Sequence, residues 1–403
     1  MNSMSSGRSD NFVVRRAIIA LSAAAFGSGM SMRVADPMLV RLSLDFSISL
    51  GMVAWVVTVF GFAYGVSQLF FGPLGDRYGK YLVIAWGCIA CAATALVCGL
   101  MRDFPSLLVA RMLAGATAAA VIPLSMAWIG DVVAYDDRQS VLARFLVGQI
   151  LGLSTGVFVG GWCADYLNWR APFFLIALWF FVIGLYLVRL NRSLPEHARL
   201  LHKADGNAFS RLISEFRAVL SIDWARTVLL TVFVEGALVF VALAFLPAHL
   251  HTVYKLSLAS SGAMVMLFGL GGLIFALASR MLVRQLRETG LTRYGGLVMG
   301  LALLVVAYSP QWWITLPACF FFGLGFYMLH NTLQINATQM APERRGAAVA
   351  AFASCFFLGQ STGVALGGAL LAFTNTEHLI AVAGLGVALV GQGFSQRLAT
   401  KLA

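Results

Sequence analysis

Long apolar runs recur along the chain and are separated by short polar connections. Runs such as 81–101, 171–190 and 227–246 are close to the roughly 20 residues that a helix needs to cross about 30 Å of hydrocarbon. This pattern predicts an all-α integral membrane protein with twelve transmembrane helices. The predicted spans are 17–41, 51–72, 80–101, 105–131, 140–165, 171–191, 225–250, 259–282, 292–309, 311–338, 346–372 and 377–397.

Composition excludes a soluble protein. Hydrophobic residues make up 60% of the chain and charged residues 11%, against about 45–50% and about 25% in soluble domains. The first apolar run begins near Ala17. It is longer than the apolar core of a signal peptide, about 7–15 residues, and it lacks a small-residue cleavage site. We therefore interpret it as the first transmembrane helix.

Cysteine and glycine patterns give no sign of a cofactor. All six cysteines lie inside apolar spans, which favours a packing role over a disulfide framework or a zinc site. The Gly79-Lys80 pair lacks the earlier glycine and the following Ser or Thr of an ATP-binding P-loop. We expect an ion gradient, with protons as the first candidate, to supply the energy.

Basic residues are distributed unevenly between the two ends of the predicted spans. Of the 28 Lys and Arg residues, 22 lie in or beside the tails and the even-numbered connections, which leaves 28 − 22 = 6 elsewhere. Because cytoplasmic loops carry the excess of positive charge, both termini are predicted to be cytoplasmic. A nucleic-acid-binding patch would not alternate in this way. The six exceptions are Arg33, Arg41, Arg102, Arg111, Arg170 and Lys255.

One long polar stretch divides the chain into two sets of six spans. The predicted units are an N-terminal bundle (1–191), a cytoplasmic linker (192–224) and a C-terminal bundle (225–403). Within the linker, Ser210 to Leu220 carries apolar residues at helical spacing. This segment is either an amphipathic helix on the membrane surface or a solvated linker.

An internal repeat relates the two halves. The segment Leu151 to Gly161 matches Leu358 to Gly368 at an offset of 207 residues, which superposes span 5 on span 11. Transporters built from two such repeats usually bind their substrate between them near the midplane. Glycines at four-residue spacing in both copies line one helix face and permit close helix packing. They are Gly152, Gly156, Gly160, Gly359, Gly363 and Gly367.

The connection between spans 2 and 3 carries the most specific motif, Gly72-Pro-Leu-Gly-Asp76-Arg77-Tyr-Gly79-Lys80. It resembles the signature loop of the major facilitator superfamily. Further residues match that superfamily in the same order along the chain: Arg111 with Gly115, Asp131, Arg138 and Trp169-Arg170.

The resemblance covers nearly the whole chain and implies two pseudo-symmetric six-helix bundles. It also implies that Asp76, Arg77 and Asp131 form a cytoplasmic charge cluster that holds the outward-open state. We include Gly72, Gly79, Lys80, Arg111 and Arg138 with this gate. An ordinary basic loop is the alternative, and the second copy, Arg280 to Gly290, lacks the Asp-Arg pair.

Span 5 also resembles a glycine motif found in drug–proton exchangers of the superfamily. Val157 stands where that motif has proline, which weakens the inference of export. Helix packing alone is the competing explanation of the glycines.

Charged residues inside spans are candidates for function, because burying a charge near the bilayer centre costs about 2.5–3.5 kcal/mol on insertion scales. Glu235 lies near the middle of span 7, with no basic residue in its own span. A carboxyl group there favours its neutral form and can exchange a proton, whereas a structural hydrogen bond between helices is the alternative.

Span 1 contains a second candidate for proton handling. Arg33 and Asp36 are three residues apart and share a helix face, and Pro37 predicts a break there. Asp36 resembles an acidic residue that takes part in proton or cation handling in related drug exporters. A plain ion pair is the alternative. For Arg111, snorkelling toward the membrane surface is the alternative to a gating role.

Span 10 presents a polar face that suits a substrate cavity. Asn331, Gln334 and Thr338 follow helical spacing, and His330 lies beside them. Contacts between helices or with water are the alternative. The predicted cavity residues are Arg33, Asp36, Glu235, His330, Asn331 and Gln334.

Together these features predict a secondary transporter that exports a small organic solute in exchange for protons. Uptake of a nutrient or siderophore with protons is the alternative, and a membrane receptor is the alternative outside transport. No enzyme is indicated, since no clustered catalytic set occurs in one membrane layer. We expect a monomer in the bacterial inner membrane whose partners are the solute, protons and lipid.

Overall fold

The structure is a computed structural model that describes residues 2–199 and 208–402, and within them it contains helices and connections but no strand. The α-helices are α1 (Asn2–Arg33), α2 (Leu39–Phe46), α3 (Leu50–Val53), α4 (Trp55–Tyr78), α5 (Lys80–Leu100), α6 (Phe104–Ala118), α7 (Val121–Val132), α8 (Tyr135–Tyr166), α9 (Ala171–Ser193), α10 (Ala208–Leu220), α11 (Asp223–Tyr254), α12 (Leu258–Tyr308), α13 (Thr315–Gln339), α14 (Arg345–Leu370) and α15 (Thr376–Leu402).

The helices account for twelve membrane spans. Eleven helical segments of the described chain are long and apolar enough to cross a membrane. One of them, α12, has 51 residues, or about 76 Å at 1.5 Å per residue, which is more than twice the hydrocarbon thickness. Arg287 interrupts α12 with φ 55° and ψ 178°, so two spans meet there. The predicted all-α membrane fold is confirmed.

Apolar side chains cover the outer surface of the helices. Leu277 is 76% exposed, Leu389 72% and Val382 64%. A soluble monomer rarely leaves so many large apolar side chains in water, whereas lipid tails solvate them. The buried interior is also apolar and includes Phe60, Phe180 and Phe322.

The first span is broken where proline predicts it. After α1 ends at Arg33, a 3-10 turn covers Asp36–Met38, and α2 continues to Phe46. Pro37 stands in that turn, where its missing N–H and fixed φ interrupt an α-helix. The break leaves the buried Arg33 and Asp36 side by side.

The amphipathic segment predicted at Ser210 to Leu220 is helical, as α10. Val219 is buried, whereas Ile213 and Leu220 are about half exposed. Residues 200–207 of the predicted linker, and the side chains of 208–212, lie outside what the structure describes. The domain boundaries at 191/192 and 224/225 stay a prediction.

Consecutive spans cross in opposite directions, so their connections alternate between two faces. We call the face that carries Gly79, Arg287 and α10 the linker face. The opposite face carries the α2–α3 turn and the connection at 371–375. These two names describe geometry only.

The predicted glycine stripes pack onto helix backbones. A Cβ added at Gly152 would lie 2.1 Å from the Phe26 carbonyl oxygen, and one at Gly359 would lie 2.0 Å from that of Phe233. The two contacts are related by the repeat, since 359 − 152 = 207 and 233 − 26 = 207. Gly156, Gly160 and Gly363 make equivalent backbone contacts, and Gly367 meets the Val241 side chain. Thus α8 packs on α1 as α14 packs on α11.

Candidate functional site

A cavity of about 1000 Å³ opens on the linker face between the two halves. Its walls come from α4, α7, α8 and the start of α5 in the first half, from α13 and α14 in the second, and from α10. Charged side chains line its mouth, namely Asp76, Lys80, Arg138, Glu215 and Arg345. Aromatic and amide side chains line the inner part, among them Tyr64, Gln68, His330, Phe352, Phe356 and Phe357. This volume is in the range of pockets that hold drug-sized molecules.

The two halves are in contact on the opposite face. A Cβ added at Gly51 would lie 2.0 Å from the Gly368 carbonyl oxygen, and one at Gly161 would lie 2.3 Å from that of Leu258. The 207-residue offset relates these contacts, since 368 − 161 = 207 and 258 − 51 = 207. The cavity is therefore open on the linker face and closed on the opposite face.

A side-chain hydrogen bond reinforces that closure. The Asp165 carboxylate at the end of α8 accepts a bond of 2.7 Å from the backbone N–H of Ala259 in α12. Asp165 belongs to the first half and Ala259 to the second. Opening the opposite face requires this bond to break.

Glu235 is fully buried in α11, and its partner comes from another helix. Its Oε2 lies 2.9 Å from Nδ1 of His330 in α13, while Oε1 has no hydrogen-bond partner among the described residues. Glu235 does not line the cavity, but His330 does. Glu235 and His330, which the sequence predicts as separate candidates, thus form one hydrogen-bonded pair. His330 lies between the Glu235 carboxyl group and the cavity.

Aromatic rings hold the His330 imidazole in place. It stacks on Phe326 with ring centroids 4.9 Å apart and an interplanar angle of 19°, and it lies 4.5 Å from Phe356 and 5.5 Å from Phe352. These contacts restrict rotation of the ring. The bond to Glu235 is therefore held in a defined geometry.

Arg33 and Asp36 form a buried pair away from the cavity walls. Arg33 Nη1 lies 2.7 Å from Asp36 Oδ2, although the angle is not that of a hydrogen bond. Arg33 also donates a long bond of 3.5 Å to the Leu243 carbonyl of α11. The pair thus links the broken first span to the second half, and neither residue lines the cavity.

The predicted charge cluster is present on the linker face, but Lys80 stands at its centre. Lys80 Nζ lies 2.6 Å from Asp131 Oδ2 and 3.8 Å from Asp76 Oδ1. Arg77 instead places its guanidinium over the Tyr78 ring, 5.1 Å from the centroid, and it takes no part in the ion pairs of the described residues. The predicted Arg77 position in the cluster is therefore occupied by Lys80.

The other residues of the predicted gate lie in different parts of the structure. Arg138 lines the cavity mouth and donates to the Val133 carbonyl at 3.3 Å. Gly79 has φ 90° and makes the turn that only glycine adopts readily. Gly72 makes no turn, because it lies within α4 beside Pro73, with open space where a Cβ would be.

Arg111 is fully buried in α6 and takes no part in the ion pairs of the linker-face cluster. It donates to the carbonyls of Ser31 at 3.2 Å and Val56 at 3.3 Å, and its guanidinium lies 4.2 Å above the Phe60 ring. Arg111 therefore joins α6 to α1 and α4. The snorkelling alternative is wrong, because these contacts pull the side chain inward.

Some residues of the predicted polar face of α13 line the cavity and others do not. Gln334 lines the cavity with His330, whereas Asn331 is not among the lining residues. Sequence reasoning also missed Tyr64 and the phenylalanines of α14, since an aromatic residue in an apolar span does not show which way it faces. It missed Gln68 as well, although a polar side chain inside an apolar span is a signal. The mouth arginines had a signal, because Arg138 and Arg345 are related by the 207-residue offset.

Comparisons with known proteins agree with this architecture. The sequence model of the Major Facilitator Superfamily matches residues 21–364. The chain is 23% identical over 353 residues to the uncharacterized MFS-type transporter YceJ of Bacillus subtilis, covering 87% of each protein. It is 27% identical over 157 residues to the multidrug export protein EmrB of Haemophilus influenzae, covering 39% of this chain and 31% of EmrB.

A solved structure shares the fold. The peptide transporter POT in complex with sulfate superposes with a TM-score of 0.76 over 96% of this chain and 94% of that chain, at 15% identity. At that identity the likeness shows a common architecture and nothing about the cargo.

Proposed function

This chain belongs to the Major Facilitator Superfamily and is a multi-pass membrane transporter, and on that premise we propose that it exports a small organic solute in exchange for protons. The observation that carries the proton coupling is the fully buried Glu235 carboxyl group, whose hydrogen-bond partner His330 lines the cavity. A carboxyl group in that position can be charged in one conformation and neutral in another.

Transport proceeds by alternating access of one cavity to the two faces. The two halves, 1–191 and 225–403, rock about the glycine contacts between them, and 192–224 connects them. The linker face is assigned to the cytoplasm, with both termini, because basic residues are concentrated on that side. The open cavity then receives solute from the cytoplasm, and we place the protein as a monomer in the bacterial inner membrane.

The buried carboxyl groups and the cavity-lining residues of α13 receive roles in this cycle. Glu235 carries the coupling proton. Asp36, paired with Arg33 at the closed face, is the second candidate for proton handling, since its pairing with Arg33 changes when that face opens. His330 and Gln334 contact the solute.

The Lys80 cluster forms the cytoplasmic gate. Asp76 and Lys80 lie on the first half at the cavity mouth, with Asp131 paired to Lys80, and Arg345 lies at the mouth on the second half. When the mouth closes, a carboxylate of the first half can meet the arginine of the second. Such a contact holds the outward-open state.

Export is supported by the similarity to the multidrug export protein EmrB, with which the chain shares 27% identity over 157 residues. Proton-driven uptake is the second candidate, and Val157 favours it because the exporter-like glycine motif has proline there. In both cases Glu235 carries the proton, and the direction of solute movement is what differs.

Reconstituted protein tests the proposal. A thermal-shift screen of purified protein at two pH values first selects a solute, since a ligand of the folded state raises its stability. Proteoliposomes are then given a pH gradient of either sign, and movement of that solute is followed. Export by antiport predicts solute movement opposite to the proton flow, and Glu235→Gln abolishes it while solute exchange persists. Unchanged gradient-driven transport in Glu235→Gln would overturn the coupling role.

A further inference from the structure

We propose that His330 is the proton relay between the cytoplasmic cavity and Glu235, so that the coupling carboxyl group is loaded through the imidazole and not by direct contact with water. This inference rests on the proposed coupling role of Glu235. The juxtaposition that carries it is a buried carboxyl group behind a histidine that lines the cavity.

Burial separates Glu235 from the cavity. Its side chain has 0% exposure, whereas that of His330 has 17%. Within residues 2–199 and 208–402, His330 is the one side chain that hydrogen-bonds Glu235. A proton that enters through the cavity therefore reaches the imidazole first.

The orientation of the ring suits transfer through its two nitrogens. Nδ1 is 2.9 Å from Glu235 Oε2, which is within the range for direct proton transfer. Nε2 makes no hydrogen bond to another described residue, so it is the ring nitrogen available to the cavity that His330 lines. The stacking contacts with Phe326 and Phe356 hold this orientation.

The transfer adds one proton in total to the Glu235–His330 pair. With Glu235 ionised, Nδ1–H donates to Oε2 and the lone pair of Nε2 is free. Hydronium in the cavity gives its proton to Nε2, the Nδ1 proton moves to Oε2, and the N–H bond at Nδ1 breaks as the O–H bond forms. The products are water, neutral Glu235 and neutral His330 protonated on Nε2. After Glu235 releases its proton, exchange with water returns the imidazole to the starting tautomer.

Other charged groups near the cavity are poorly placed for this step. The residues that pack around the imidazole from α13 and α14 are Phe326, Phe352 and Phe356, which do not titrate. The charged side chains of the cavity lie on the linker face: Asp76, Lys80, Arg138 and Arg345 stand at or near the ends of their helices, and Glu215 lies in α10. Tyr64 lines the inner wall but is not hydrogen-bonded to Glu235.

Time-resolved infrared spectroscopy after a light-triggered pH jump tests the relay with the proton itself as the probe. The carboxyl band that is present in wild type and absent in Glu235→Gln reports protonation of Glu235. His330→Ala is expected to slow the rise of this band by about a hundredfold, the usual scale of general acid–base assistance. Free imidazole added to the buffer should restore much of the rate, since the cavity admits it.

Two variants make the result interpretable. His330→Asn keeps an amide near the Nδ1 position that can donate to Glu235 but cannot relay a proton, so it should be slow even where His330→Ala is unstable. His378→Ala removes an exposed imidazole on the opposite face and should keep the wild-type rate. Wild-type rates in both His330 variants without imidazole would overturn the relay and leave the role of Glu235 intact. Absence of a Glu235 band in wild type at every pH would instead overturn the proposed proton coupling.

Discussion

Gly51 and Gly368 touch through their backbones on the opposite face, where a Cβ at Gly51 would lie 2.0 Å from the Gly368 carbonyl oxygen. One belongs to each half, and the repeat supplies a second such contact between Gly161 and Leu258. The approach is too close for a side chain at Gly51, Gly161 or Gly368. Closure of this face therefore depends on the absence of a Cβ at these three glycines.

A wedge at this contact should hold the opposite face open. In Gly51→Leu, the added side chain cannot fit against Gly368, and overpacking of this kind costs about 1–3 kcal/mol. The population should shift by roughly fivefold or more toward a state open on the opposite face. Spin labels at the exposed residues Leu44 and Phe373, one on each half, measure the separation of the two sides.

The matched control is Gly393→Leu, because a Cβ at Gly393 meets nothing within 4 Å. That variant should keep the wild-type distance distribution. If Gly51→Leu also keeps it, this contact does not control closure.

The paired glycine stripes predict equal sensitivity of the two halves. Gly152→Ala and Gly359→Ala each bring a Cβ against a backbone carbonyl, so each should lower the free energy of unfolding by about 1–3 kcal/mol. Thermal unfolding in detergent measures the loss. Gly130→Ala, with open space around its Cβ, serves as the control. Loss in one half alone would contradict the structural equivalence of the two stripes.

Lys80 and Arg77 should behave differently in the gate. Because Lys80 lies 2.6 Å from Asp131 while Arg77 stands over Tyr78, Lys80→Gln should alter the fraction of molecules open on the linker face more than Arg77→Gln does. Partly exposed pairs contribute up to about 1 kcal/mol, which sets the scale of the change. Labels at the exposed Gln139 and Glu343 report this opening. A larger effect from Arg77→Gln would count against Lys80 as the centre of the cluster.

Substitution of Arg111 distinguishes a buried side chain that joins helices from one that extends toward the membrane surface. Lysine keeps the charge. Its single ammonium, however, cannot reproduce the planar guanidinium, which donates to the Ser31 and Val56 carbonyls and stacks on the Phe60 ring. Arg111→Lys should therefore lower the free energy of unfolding by about 3 kcal/mol. Arg111→Met should lower it less, since it leaves no buried charge. Wild-type stability in Arg111→Lys would contradict the role of these contacts in joining the helices.

Much of the fold could be predicted because its signals are local. Span lengths, the break at Pro37 and the 207-residue repeat are all visible along one chain. Contacts between distant helices are not. The partner of Glu235 depends on which side chains of α11 and α13 face each other. The sequence of an apolar span does not show which of its sides faces a given helix.

The same limit explains the errors in the gate. The motif places Arg77 and Lys80 three residues apart on the same connection. Because α5 begins at Lys80, however, the Lys80 side chain reaches Asp131, whereas that of Arg77 lies over Tyr78. The order of motifs assigns Arg111 to the gate, with snorkelling as the alternative, because its place in span 4 can be read from the sequence and its hydrogen-bond partners cannot. Residues whose role depends on a partner from another helix need the structure.

Coupling of face opening to protonation of Glu235 is tested most directly by distances measured across pH without any solute. The labels at Gln139 and Glu343 report the linker face, and those at Leu44 and Phe373 report the opposite face. In wild type the balance between the two open states should change with pH, because one state favours the neutral carboxyl group and the other the ionised one. In Glu235→Gln the balance should no longer respond to pH, and a wild-type response in that variant would contradict the coupling.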